Sequence, residues 1–301
     1  MSAGAQQRSP AASESSFDPA SFSRSRRYHA TGNAGLILGD IQKLREFDSF
    51  QERRNMIWIL VVVFGFVLFF VGIAFLFMDR TTPAWVTGGV GLATIFTSFT
   101  ILAMRSGLDL DNRRYELVAG ILGLLQRDMA SDAPIQLTID FREHNHKDKF
   151  VRSGKVGRWD AKFYVDRWLE MKGRLLDGSK YSVSMIQKHQ DRSRTKRSVS
   201  GKMKYKTKTK GSCEAVVSIK FKEKCYPQKP PNDLELYKSA NLPEWVELKS
   251  FKTEGDILTI RATTTEEWNS RTATQGNVAR DGVHWLAMMF MNVYKQLNRS
   301  K

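Results

Sequence analysis

Between Met56 and Met104 the chain carries two apolar runs, Met56–Met78 and Ala84–Met104, separated only by Asp79-Arg80-Thr81-Thr82-Pro83. Neither run contains a charged side chain. At roughly 1.5 Å per residue each would form a helix about 30–35 Å long, enough for a hydrocarbon core about 30 Å thick. The pattern predicts a transmembrane helical hairpin with spans at 56–78 and 84–104 and a short extracytoplasmic loop at 79–83. A path for ions or protons needs ionisable groups inside the span. With none present, the hairpin reads as an anchor and a packing surface.

The two spans differ in kind. The first is bulky, with Val61, Val62, Val63, Phe64, Phe66, Leu68, Phe69 and Phe70. The second is small and weakly polar, with Gly88, Gly89, Gly91, Ala93 and Thr97 among its residues. Small residues let helix backbones approach, and hydroxyls bond neighbouring carbonyls. These five are therefore the expected packing positions, against the first helix or against a second copy in a homo-oligomer. Lys43, Arg45, Arg53 and Arg54 precede the first span and Arg105, Arg113 and Arg114 follow the second, while the loop holds only Arg80. Cations flanking a span stay in the cytoplasm, so both termini are expected there, in a two-span multi-pass membrane protein.

The flanks have their own character. Residues 1–35 are rich in Ser, Ala and Arg and read as a disordered tail, with a small basic cluster at Arg24, Arg26 and Arg27. Residues 36–55 read as an amphipathic juxtamembrane helix on Ile37, Ile41, Leu44 and Phe47. Residues 105–130 form its counterpart on Tyr115, Val118, Ile121, Leu122 and Leu125, with Asp109 and Asp111 suited to the helix start. The break at Ala133-Pro134 places a basic cytoplasmic domain at 131–301.

In that domain the period changes to two. Ile135, Leu137, Ile139 and Phe141 mark a first strand, after which residues 143–160 read as a long loop. A second strand follows at Ala161–Leu175 with Phe163, Val165, Leu169 and Met171 on one face. Arg167 interrupts that face, so it marks a bulge or has a buried partner. Asp177-Gly178 and Glu254-Gly255-Asp256 are hairpin turns. Pro227, Pro230 and Pro231 fall in a loop, and a last helix at about Asn277–Asn298 presents Val278, Trp285, Met289, Val293 and Leu297. The expected fold class is a membrane α-helical hairpin plus an α+β domain, an antiparallel meander sheet of about seven strands with the C-terminal helix packed on it.

Charge supplies the functional signal. The net charge is +16, which favours anionic partners. The most basic stretch holds Arg194, Lys196 and Arg197, and then Lys202, Lys204, Lys206, Lys208 and Lys210 in strict alternation. A strand there puts its five ammonium groups on one face, and Gly211-Ser212 is expected to turn the chain into a partner strand beginning at Cys213. These eight residues are the candidate anion- and lipid-binding set. Membrane lipids with anionic headgroups are the expected partners. A structural alternative is an edge strand guarded by lysines. Nucleic acid is the competing ligand, set back because Tyr205 should face away from the lysines, separating stacking from charge.

Signatures of catalysis are absent: there is no P-loop, nucleophile elbow, zincin helix, EF-hand or kinase set. His144 and His146 form a weak metal-ligand pair. His189 and His284 read as solvent-facing. Cys213 and Cys225 make neither a disulfide framework nor a zinc ribbon and read as reduced thiols. No cofactor and no small-molecule substrate are expected. The chain thus reads as an integral membrane protein anchoring a non-enzymatic cytoplasmic interaction domain. The alternatives are a membrane-tethered nucleic-acid binder and a membrane-bound enzyme whose acid–base pair assembles from distant positions.

Overall fold

A computed structural model describes residues 17–105, 110–198, 201–227, 231–270 and 279–299. Residues 1–16 of the expected tail, Asp109, Pro230 and Val278 lie outside the described residues. The chain forms two compact units. One is Gln42–Asp111; the other draws on the chain before Gln42 and from Asn112 onward.

In the unit Gln42–Asp111, two long helices carry the apolar runs. The juxtamembrane helix and the first run are one continuous helix, α2 (Ala34–Phe77), whose first two turns belong to the other unit. The second run lies in α3 (Thr81–Arg105). Both are long and apolar enough to cross a membrane. They lie antiparallel and touch through glycine. A Cβ on Gly72 would stand 2.6 Å from the backbone nitrogen of Gly88, and one on Gly91 would stand 2.6 Å from that of Phe69. No real side chain fits at such distances, so the crossing requires glycine. Of the five expected packing positions, Gly88 and Gly91 meet α2. Nothing lies within 4 Å of a Cβ built on Gly89, and Ala93 and Thr97 are exposed, the Thr97 hydroxyl donating to the Ala93 carbonyl.

The other unit is built on an eight-stranded antiparallel sheet. Its elements are α1 (Pro19–Ser25), β1 (Arg27–Gly32), the start of α2, α4 (Asn112–Leu125), β2 (Ile135–Asp140), β3 (Phe150–Val156), β4 (Trp159–Arg174), β5 (Lys180–Arg197), β6 (Met203–Lys220), α5 (Asp233–Ser239), β7 (Glu247–Glu254), β8 (Ile257–Thr264) and α6 (Gly282–Arg299). The strand order is β1-β2-β4-β5-β6-β8-β7, with β3 pairing β4. Alternation sets one face. Ile135, Leu137 and Ile139, Val183 and Met185, Ala215, Val217 and Ile219, and Leu258 and Ile260 are all buried. Helix α6 packs there on Trp285, Leu286, Met289, Phe290, Val293 and Leu297, as its periodicity predicts. It also meets α4, where Gly120 makes room for Val283.

Several expectations change. Part of the tail is ordered: Asp18 caps α1, accepting from the Ala20 and Ser21 amides, and β1 pairs with β2 from Arg27↔Asp140 to Gly32↔Ile135. Tyr28 and Ala30 bury on the core side, and the Tyr28 hydroxyl donates to buried Asp40 at 3.0 Å. The domain therefore begins well before residue 131. The loop 143–160 contains β3. Gly211-Ser212 is no turn, because β6 runs through it. The chain reverses instead between the end of β5 and the start of β6, where Gly201 takes φ +78° and the Ser198 amide donates to the Lys202 carbonyl. Arg167 does mark a bulge, since β4 shifts register against β5 between Arg167 and Leu169. Before it the buried residues are Ala161, Tyr164 and Asp166, not Phe163 and Val165; Trp168 is buried within the bulge, and Leu169 and Met171 after it.

Candidate anion-binding face

Strands β5 and β6 outrun their neighbours. β8 pairs with β6 only over Cys213–Lys220, and β4 reaches β5 no further than Ser193. Residues Met203–Ser212 therefore bond to β5 alone. From Met203 to Gly211 every residue of β6 is exposed, on both faces. This half of the hairpin is an arm, not part of a packed layer.

Register decides which cations share a face. Lys204 opposes Lys196, Lys206 opposes Arg194, Lys208 opposes Arg192 and Lys210 opposes Gln190. Directly opposed residues project to the same side, about 4.5–5.5 Å apart at Cβ, and successive same-face rungs lie about 7 Å apart. Three consecutive rungs are thus cation on cation. Two unit charges about 5 Å apart repel by about 1 kcal/mol even in water. Among the described residues, no ion pair involves Lys196, Lys204, Lys206, Lys208, Lys210 or Arg194. Two of the eight candidates stand apart. Lys202 lies in the turn, and Arg197 opposes Met203 on the other face. Arg192 joins the ladder, a placement visible only from the register.

The same face continues onto β4 and β3. Phe163 opposes Gln190 and Val165 opposes Lys188. The Arg194 guanidinium lies 5.1 Å over the Trp159 ring, and that of Arg152 lies 4.5 Å over Phe163. A shallow cavity of about 440 Å³ runs between Val151, Phe163, Val165, Lys188 and Lys210. Aromatic groups and charge therefore do share a face, through Trp159 and Phe163 instead of Tyr205. The opposite face mixes hydroxyls with exposed Met203 and Tyr205. There Tyr205, Thr207, Thr209 and Ser193 line a groove of about 640 Å³.

The histidines take unexpected partners. His144 and His146 take different partners. His144 stacks on His189, ring centroids 4.3 Å apart, and its Nε2 lies 3.1 Å from an Asp191 oxygen. His146 turns to Asp148 and Arg142. His189 is half-buried, not solvent-facing. Burial, and then the neighbouring His144, push its pKa down to about 4. Among the described residues no three His, Cys, Asp or Glu side chains gather as metal ligands. Cys213 is buried and Cys225 exposed, both free.

A buried ion cluster lies beneath, unanticipated from the sequence. Asp166 is fully buried and receives Arg114 at 3.0 Å and Lys149 at 2.8 Å. Arg114 also donates to the Asp140 carbonyl. Arg142 clamps the Asp140 carboxylate at 2.7 Å and reaches Asp148 at 2.6 Å. Burial pushes the Asp140 carboxyl up, but hydrogen bonds from the Arg142 side chain and amide outweigh it and hold the pKa at about 2. Burial lowers that of Lys149, against the pull of Asp166. Both cations on Asp166 are themselves buried, so the cluster ties α4 and the turn before β3 to the sheet. Its signal in the sequence was the Arg167 interruption, one residue from the true buried charge. No family model matches the chain, nor does any curated protein or solved structure.

Proposed function

We propose that this chain is an integral membrane protein in which α2 and α3 anchor a non-enzymatic interaction domain, and that the domain binds polyanionic partners through the arm. Two helices of sufficient length and apolarity support the anchor. The excess of Lys and Arg outside the two spans over the single Arg80 between them supports a cytoplasmic location for both termini. The observation that carries the binding role is the ladder Lys196–Lys204, Arg194–Lys206, Arg192–Lys208. Like charges placed directly opposite destabilise a sheet. Guarding an edge takes one lysine row, not two facing rows. An anion seated across the rungs relieves the repulsion.

The test uses the full chain in neutral nanodiscs with inorganic polyphosphate as probe. Binding should weaken steeply with salt, since association releases counterions, which added salt opposes, and salt also screens the charges. The triple variant Lys204→Glu, Lys206→Glu, Lys208→Glu should bind at least tenfold more weakly. Unchanged affinity in that variant overturns the reading. Nucleic acid is the second reading, favoured by Trp159 and Phe163 on the cation face. Single-stranded oligonucleotide binding that far exceeds polyphosphate binding would select it.

A further inference from the structure

We infer that the partner of this face is a bilayer surface bearing anionic headgroups, met flat, with the apolar row of β3 and β4 entering the interface beside the cation ladder. This rests on the polyanion reading above and adds the partner and the orientation. A ladder alone would suit any polyanion; the row next to it discriminates. Val151 and Val165 are 56% and 40% exposed, and Trp159 and Phe163 are half-buried on the same face. Exposed apolar groups beside Lys and Arg match the interfacial zone, where apolar parts leave water and charged ends meet headgroups. Trp is at home in that zone. Base stacking needs an open ring face, and Arg194 and Arg152 already lie over the rings of Trp159 and Phe163. The other face of the arm offers hydroxyls and Asp191, with Thr209 donating to that carboxylate at 2.8 Å. Met203 and Tyr205 are exposed there too, at 68% and 69%, but that face keeps the Asp191 carboxylate part-exposed where an anionic surface would repel it, whereas the buried Glu214 of the cation face is held by Lys188 and Arg261. The domain is also continuous in sequence with the apolar helices on both sides of Gln42–Asp111, which keeps a leaflet within reach.

The experiment places an environment-sensitive nitrobenzoxadiazole label on the full chain in a Cys225→Ser background, leaving only buried Cys213. One variant carries it at Val165→Cys, the other at Thr207→Cys on the opposite face. Each is reconstituted in phosphatidylcholine vesicles with and without phosphatidylserine. The label at 165 should brighten at least twofold and shift to the blue only with phosphatidylserine, and revert as salt shortens the Debye length from about 10 to about 3 Å. The label at 207 should not respond. The pair Val151→Ser, Val165→Ser should lower vesicle docking several-fold while leaving polyphosphate affinity unchanged. No response at 165 with polyphosphate binding intact overturns the docking and leaves the ladder standing. Equal brightening on neutral vesicles overturns it, as does a response at 207. A response at 165 to a single-stranded oligonucleotide but not to phosphatidylserine makes nucleic acid the partner.

Discussion

His189 resists protonation in the folded chain. Its folded pKa is about 4, against an ordinary value of 6.5. Below pH 6.5 the unfolded chain takes up a proton that the folded chain refuses until about pH 4, so stability falls across that window as pH drops. Because the ring is part-exposed, the loss should be about 1–2 kcal/mol, less than the full shift implies. Urea unfolding of the full chain in detergent should show it, and His189→Gln should flatten the slope; an equal slope in both would refute the assignment. Asp140 acts in a separate, lower window. Its depressed carboxyl contributes stability that is whole above about pH 4 and lost as pH falls toward about 2. Neither effect was legible in the sequence. His189 looked solvated among its basic neighbours, and only the β4–β5 pairing sets it beside Tyr164 and under His144.

Elements were more legible where one periodicity ran long. The apolar runs, the stripe of α6 and the turns at Gly178 and Gly255 follow from spacing and local turn chemistry, and both glycines take positive φ. Strands with two exposed faces leave no such signal. Along Met203–Gly211 neither face is buried, so alternation carried no information about where the strand ended. The β4 bulge misled in another way, because one added residue moves every later side chain to the other face. Between the helices, contact is a matter of single positions. Gly72→Val would drive a branched side chain into the Gly88 backbone. It should separate α2 from α3 and cost about 1–3 kcal/mol of stability by overpacking, read as a lower unfolding midpoint in detergent. Gly89→Val, with open space around it, should leave the midpoint unchanged.

At the scale of the molecule, the sheet unit is discontinuous in sequence, with the chain before Gln42 and after Asp111 sharing one core. A chain lacking residues 1–32 should lose β1, expose the edge of β2 and remove buried Phe22 and Tyr28. Burying each such side chain is worth about 1.5–3 kcal/mol, so thermal unfolding should begin earlier and aggregation should increase through the bared edge. An unchanged transition would mean that β1 adds nothing to the fold. Length and hydropathy, which are properties of contiguous residues, are enough to locate the two long helices and the basic stretch. Which cations face each other is a different kind of fact. Lys196 and Lys204, or Arg114 and Asp166, meet only through strand register and long-range packing. Spacing along the chain carries no such distance, so the ladder and the buried cluster exist only once the sheet has formed.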